Sequence, residues 1–223
     1  MVVTVGAMKA ELERPWSSTT SPAASQSAIK CLSWTPTPRL TLQGLGIDIA
    51  DPDMTTLADV LTNQGTPPED AVIRAPLRDL PNLDVMPSSI LLFKTEFELA
   101  AKGERIRLLS YYLQDNSEFF GQYDYIIIDT NPGLGLVNQN AFFAADSIVL
   151  VTDVSDNGLT GVEMFQYLWG EELCTELRIP DVTKGLVVCN YDKRIKLAPE
   201  MLDYIARAKT WAVCSLIPSS RTA

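Results

Sequence analysis

Histidine is absent from the 223 residues. That absence excludes Ser-His and Cys-His nucleophilic pairs, imidazole proton shuttles and zinc sites that need an imidazole ligand. Cysteine is sparse, and Cys31, Cys174, Cys189 and Cys214 lie far apart with no C-x-x-C pair. Neither a thiolate metal site nor a disulfide framework is indicated, and a reducing compartment fits. No apolar run approaches the roughly 20 residues that cross a bilayer, and MVVTVGAMK is too short and too weakly basic for a signal peptide. The expectation is a cytoplasmic protein with no membrane association. Basic charge is in deficit, 18 Lys and Arg against 28 Asp and Glu for a net charge of −10. This argues against nucleic-acid binding through the whole surface and leaves room only for a local basic patch. What is present, 46% apolar and 21% charged residues, is the composition of one fairly large globular domain.

A second absence is local. Between residues 10 and 39 there is no Gly and no Asp, while 14 of the 30 residues are Ser, Thr or Pro. No helical period survives, so the stretch reads as a loop or disordered insert. On either side the texture is that of alternating strands and helices. Val2 to Val5 has the β-branched content of a first strand, Met54 to Leu61 is periodic enough for a short helix, and Leu83 to Met86 suits a strand ended by Pro87. The spacing of Ile106, Leu109 and Leu113 predicts one face of a helix from about Phe93 to Leu113, interrupted at Gly103.

The clearest segment runs Tyr123-Asp124-Tyr125-Ile126-Ile127-Ile128-Asp129-Thr130. It is a continuous apolar strand, expected to be buried on both faces, that stops at a carboxylate and a turn. A helix over Leu136 to Ala145, a strand over Ser147 to Thr152 and a helix over Leu159 to Trp169 follow. Then come a strand over Gly185 to Asn190, a helix over Ala198 to Lys209 and a last strand over Val213 to Ile217. Five or six strands alternating with helices predict an α/β fold with a mostly parallel sheet. Ligands collect beyond the carboxyl ends of such strands, where Asp129, Asn190 and Pro218 fall. A carboxylate on that edge either holds a magnesium ion or caps the turn that follows it. Lys193, Arg194 and Lys196 form a basic loop that is either a nucleic-acid contact or a solvated edge. Met164, Phe165, Tyr167 and Leu168 read as helix core with some partner surface, and Cys189 as a small buried apolar residue.

The string YDYIIIDTNPGLGLVNQNAFFAADSIVLVT resembles the Walker B strand, switch loop, helix and next strand of the ParA/Soj partition ATPases, relatives of MinD. Leu45-Gly46-Ile47, TTLADVL, Pro81 to Pro87, Asn190 to Arg194 and Leu216-Ile217-Pro218 follow the family's order, so the resemblance covers residues 40 to 223. It implies a P-loop NTPase-like fold, a twisted, mostly parallel sheet flanked by helices in a single domain. It further implies ATP and Mg2+ as cofactors, a homodimer formed around ATP, non-specific DNA binding, a centromere-binding partner protein and release by hydrolysis. Lys9 would be the signature lysine reaching across the dimer, Asp129 the magnesium carboxylate, and Asn190 and Pro218 the adenine contacts.

One family feature is missing. The deviant Walker A loop, K-G-G-x-G-K-[ST], cradles phosphates with backbone N–H groups. Here Lys9 is followed by Ala10-Glu11-Leu12-Glu13-Arg14-Pro15, and two glutamates repel phosphate. The P-loop, first helix and second strand are therefore expected to be disrupted. Read one base out of step after Lys9, the codons have synonymous choices that spell Gly-Gly-Thr-Gly-Lys-Thr. With synonymous choices the same shift over Gln26 to Arg39 can spell K-R-H-Q-V-L-V-V-D-A-D-P-Q, which resembles the family's second strand and D-x-D-P-Q motif. Residues 10–39 thus read as a compensated frameshift, with the original frame resuming at Leu40. The chain stops five residues after Pro218, where family members continue, so a C-terminal helix is expected to be missing. Nucleotide binding is expected to be lost or severely weakened. The alternative is a non-catalytic interaction module that kept the fold and dropped ATP.

Overall fold

The computed structural model describes residues 1–7, 31–34, 47, 51, 53–77, 79–88, 92–189, 199, 203 and 212–215. These fall into two compact units. The first holds Met1–Thr4, the described residues from 31 to 130, and Gly135–Asp146; the second holds residues 5–7, Asn131–Leu134 and the described residues from Ser147 on.

In the first unit β2 (Cys31–Trp34) lies between β3 (Leu83–Met86) and β4 (Tyr125–Thr130), parallel to both, with Trp34 opposite Met86 and Ile128. The strand order is β3-β2-β4, then β1 (Val2–Ala7). The expectation of a loop throughout 10–39 is corrected at Cys31–Trp34. Flanks of Ser, Thr and Pro hide this strand, whose extended form is imposed by two neighbours that supply its hydrogen bonds rather than by local propensity. The β3 edge is closed by an antiparallel bridge, with Ile73 N–H donating to Val85 O at 2.8 Å and Val85 N–H to Ile73 O at 2.9 Å. This bridge occupies the backbone groups of Val85 on that edge and so limits pairing with another chain there.

Helices α1 (Leu57–Thr62), α2 (Pro68–Ala71), α3 (Leu92–Ala100), α4 (Leu108–Asp115), α5 (Ser117–Phe120) and α6 (Leu136–Ala144) are the helices among the described residues of this unit. Val60, Leu61, Leu99, Leu109, Tyr112, Ile128 and Ala141 meet in one apolar core. The single helix expected over Phe93 to Leu113 is two helices. Residues 101–107 break it, with Glu104 at φ 54 and Arg107 N–H returning to Glu104 O at 2.8 Å. Strand β4 is not buried on both faces. Ile126, Ile128 and Thr130 are buried, whereas Tyr125 and Ile127 are each 36% exposed. Half of its apolar character is therefore spent on a face with only partial cover.

In the second unit the order runs from β1 to β5 (Ser147–Asp153), β6 (Thr183–Cys189) and β7 (Ala212–Ser215), with β5, β6 and β7 paired in parallel. Among the described residues there are seven strands, rather than the five or six expected, the extra one being the unforeseen β2. After β5 comes α7 (Asp156–Phe165), which starts three residues earlier than the expected Leu159. It continues through a π-helical stretch, Gln166–Leu173, into α8 (Cys174–Leu177). Val162, Phe165 and Trp169 face inward and are buried, as are Leu186 and Val188 of β6. Met164 and Tyr167 are 55% and 53% exposed, so only part of the apolar group read as core is core. Cys189 is half-buried rather than buried. Burial, then the charge of Asp153, raises its thiol pKa, which leaves it an unreactive neutral group. The helix expected over Ala198 to Lys209 lies outside the described residues.

Candidate functional site

Asp129 stands one residue before the carboxyl end of β4, on the half-exposed face of the strand. Strand pairing with β2 runs up to the preceding residue, Ile128. Desolvation by burial is the cause that pushes its carboxyl from the ordinary 3.8 up to about 6. Among the described residues no cation or hydrogen-bond donor offsets that penalty. A rigidly mounted, desolvated carboxylate of this kind is a ready ligand for a divalent ion, which would supply the missing positive charge. Among the described residues no three His, Cys, Asp or Glu side chains cluster as a metal site, so an ion here would complete its shell with water or a ligand.

The connection leaving Asp129 is built from glycine. Gly133 has φ +128, a conformation that L side chains avoid. At Gly135, the N-cap of α6, an added Cβ would come within 2.6 Å of Glu96 Oε1. The Glu96 carboxylate, reaching over from α3, accepts from Leu136 N–H at 2.7 Å and Val137 N–H at 3.1 Å. Two of the four orphan donors of α6 are thereby satisfied, in a position that also suits the helix dipole. Farther along α6, Asn140 is wholly buried. Its Nδ2 donates to Leu136 O (2.8 Å) and Arg105 O (2.7 Å), and its Oδ1 accepts from Leu109 N–H (3.1 Å). Thr4 Oγ1 donates to Ala141 O at 3.0 Å. The helix that follows Asp129 is thus tied to α3, α4 and β1.

A second polar cluster closes the far edge of the sheet. Asp84 of β3 accepts from Arg74 Nη1 at 2.8 Å, Tyr123 Oη at 2.7 Å and Ala75 N–H at 2.9 Å. Burial pushes its pKa up, but these three hydrogen bonds and the Arg74 charge outweigh burial and hold it below the usual value. Arg74 also stacks 4.8 Å from the Phe119 ring centre. This cluster holds together an edge and is remote from any strand end that would receive a ligand.

In the second unit the end of β5 is shaped by Asp153, Ser155 and Gly158. Ser155 Oγ donates to Asp153 Oδ1 at 2.5 Å and accepts from Gly158 N–H at 2.9 Å, which caps α7. A Cβ on Gly158 would lie 2.5 Å from Thr152 Oγ1 and 2.8 Å from Asp153 O.

Of the site residues read from the sequence, Asp129 is described, whereas Lys9, Asn190 and Pro218 lie outside the described residues, as do Lys193, Arg194 and Lys196. Glu96, Gly135 and Gly158 were not read as site residues. Nothing local marks Glu96, which sits between Lys94 and Glu98 on a charged helix. Only the packing of α3 beside α6 reveals it.

A parallel α/β sheet with an acidic strand end is the architecture of P-loop NTPase-like proteins. Solved structures agree at the level of fold. Cobyrinic acid a,c-diamide synthase from Mycobacterium smegmatis, crystallised with an ATP analogue and magnesium, superposes with a TM-score of 0.73 at 23% identity, over 99% of this chain and 87% of that one. A Cyanothece McdA variant in complex with ATP gives 0.75 at 19% identity, over 98% and 83%. The AAA domain family matches residues 39–170. The sporulation initiation inhibitor protein Soj of Bacillus subtilis is 30% identical over 167 residues, 74% of this chain and 61% of Soj. The chromosome partitioning protein ParA of Caulobacter vibrioides is 32% identical over 161 residues, 71% of this chain and 57% of ParA. The chain therefore belongs to the ParA/Soj family of partition ATPases. The match spans about three fifths of the length of these curated relatives. Among the described residues no helix is long and apolar enough to cross a membrane.

Proposed function

We propose that the chain is a ParA-type partition protein whose ancestral cycle was ATP-dependent dimerisation, non-specific DNA binding and release by hydrolysis, and that as written it no longer binds ATP. The observation that carries this reading is the contrast between its two halves of a nucleotide site. On the metal side the residues fit: Asp129 is a desolvated carboxylate without a counter-charge among the described residues, and it would hold Mg2+. On the phosphate side they do not. The sequence has no glycine between Gly6 and Gly44, and Glu11 and Glu13 follow Lys9, so the glycine-rich segment that would cradle a triphosphate is missing from the sequence. Phosphoryl transfer depends on positioning and charge neutralisation, and both are lost with the cradle. Lys9 as the lysine reaching across a dimer, and Asn190 and Pro218 as adenine contacts, belong to the same ancestral reading. So does a centromere-binding partner.

The compensated frameshift over 10–39 explains why one half survives. Two observations support it. The family match begins at residue 39, beside Leu40, where the written frame resumes. And residues 31–34, whose codons read in the shifted frame can spell V-L-V-V, form a parallel strand between β3 and β4. The coding DNA tests it directly: the shifted frame after Lys9 encodes the glycine loop, and a DNA sequence that lacks it in every frame ends the idea. Titration with Mg-ATP by calorimetry tests the loss of function, and micromolar affinity in the chain as written would sink it.

A non-catalytic interaction module is the second reading. Phe93 and Phe97, four residues apart on α3 and 64% and 76% exposed, favour it, because such aromatics cost solubility unless a partner covers them. Retained binding to a partner protein without ATP would distinguish it.

A further inference from the structure

We propose that α3 is a self-association surface: Phe93 and Phe97 pack against the same two rings of a second copy of this chain, the two helices lying antiparallel about a twofold axis. The inference names the partner that the second reading above leaves open, and it rests on that reading's exposed rings and not on the loss of ATP.

Helix α3 turns Leu92, Thr95 and Leu99 into the core and ties Glu96 to the start of α6. Its outer face should then be polar. Instead Phe93 and Phe97, one turn apart, are 64% and 76% exposed and form one apolar row. An aromatic side chain buries roughly 150–250 Å², so the two rings can remove about 200–350 Å² of each copy from water. A standard interface takes about 800 Å² per partner, which makes these rings the centre of a small, reversible contact. The flank of the row tells what covers it. Lys94 and Glu98 lie on the same side of the rings, one turn apart, and pair at 3.6 Å while their side chains stay 69% and 44% exposed. A strongly acidic or strongly basic partner would meet one opposite and one like charge there. A second α3 laid antiparallel sets each Phe93 on the Phe97 of the other copy and each Lys94 beside the other copy's Glu98, so every contact is made twice. The order of the charges is a second reason. Lys94 stands near the N-terminus of α3 and Glu98 near its C-terminus, which opposes the helix dipole and is the weaker arrangement of an i, i+4 pair. An antiparallel copy brings its Glu98 to the N-terminal end and its Lys94 to the C-terminal end, where the dipole favours them. The net charge of −10 on each chain opposes the encounter, although salt at physiological strength screens it beyond about 8 Å. A dissociation constant of about 10–100 μM is therefore expected.

The test is sedimentation velocity of the full chain without nucleotide, at physiological salt and from about 5 to 300 μM, a range that brackets the expected constant. Thermal unfolding of each variant is measured in parallel. Wild type should pass from monomer to dimer across the range. F93A/F97A should raise the dissociation constant by about tenfold or more and leave the thermal midpoint in place, since both rings are on the surface. K94E sets glutamate against glutamate and should raise the constant by about threefold or more. The charge swap K94E/E98K restores opposite signs across the contact and should return the constant to within about twofold of wild type. Adding Mg-ATP should change none of these values. A chain that stays monomeric at the highest concentration, with or without Mg-ATP, would overturn the inference and leave the rings to a different protein, with the partition reading intact. A dimer that F93A/F97A does not weaken, or a charge swap that fails to restore what K94E loses, would place self-association elsewhere and overturn it as well. Dimerisation that requires Mg-ATP would overturn both this inference and the loss of nucleotide binding.

Discussion

Replacing Asp129 by Asn should make the protein more stable, which is unusual for a residue on a sheet. Burial moves its carboxyl from 3.8 to about 6. At about 1.4 kcal/mol for each tenfold change in proton affinity, the ionised form carries a penalty of about 3 kcal/mol in the folded state. The sign follows from which state ionises first. Below about pH 4 both folded and unfolded chains hold the proton and the penalty is nil. Between pH 4 and 6 the unfolded chain ionises and the folded one resists, so stability falls as pH rises. Above pH 6 the full penalty applies. An amide of the same shape escapes the ionic part and retains some cost of burying a polar group, so D129N should gain about 2 kcal/mol at pH 8. Urea unfolding followed by circular dichroism at pH 8, 6 and 4 measures the difference, which should shrink at pH 6 and disappear at pH 4. A D129N chain that is less stable at pH 8, or a gain that does not change with pH, would refute the desolvation reading. It would also remove the physical reason for a cation at this carboxylate.

Three further outcomes follow from the same geometry. D84N should cost about 1–3 kcal/mol at neutral pH, the lower part of the range for a buried pair because Arg74 can turn to water. Since the Asp84 pKa is lowered, its stabilisation is present above the unfolded value of 3.8 and lost as pH falls through the folded value, so D84N and wild type should converge in strong acid by urea midpoint. N140A removes three hydrogen bonds and strands the Leu109 N–H, a loss of about 2–3 kcal/mol in the same assay. G158A forces a Cβ against the backbone oxygen of Asp153 and should cost about 1–3 kcal/mol. Its thermal midpoint should drop by several degrees, while G103A, where a Cβ meets nothing within 4 Å, should leave it unchanged.

The parts of the fold that the sequence made legible share one property: their structure is written in residues that touch them. Strands β4, β5 and β6 are continuous apolar runs, and α6 begins just after a Gly-rich turn. Asp129 could be singled out because a carboxylate ending such a run is conspicuous. Strand β2 could not, because its form is dictated by partners 52 and 94 residues away. The break between α3 and α4 was half visible in Gly103, but the turn is made at Glu104 with positive φ, which a glutamate does not advertise. Glu96 was invisible for the same reason as β2. Its function is a contact between α3 and the start of α6, and a single sequence holds no trace of that distance. The desolvation of Asp129 likewise belongs to the packing around it.

The most direct measurement is a paired calorimetric titration with Mg-ATP. One sample is the chain as written; the other carries the shifted-frame text in place of residues 10–39, with the Gly-Gly-Thr-Gly-Lys-Thr loop restored and every residue from Leu40 on unchanged. The chain as written should show no binding at micromolar nucleotide, and the restored chain should bind in the micromolar range, with D129A weakening it when magnesium is present. Micromolar binding by the unrestored chain, or none by a folded restored chain, would contradict the claim that this is a ParA-family body deprived of its phosphate cradle.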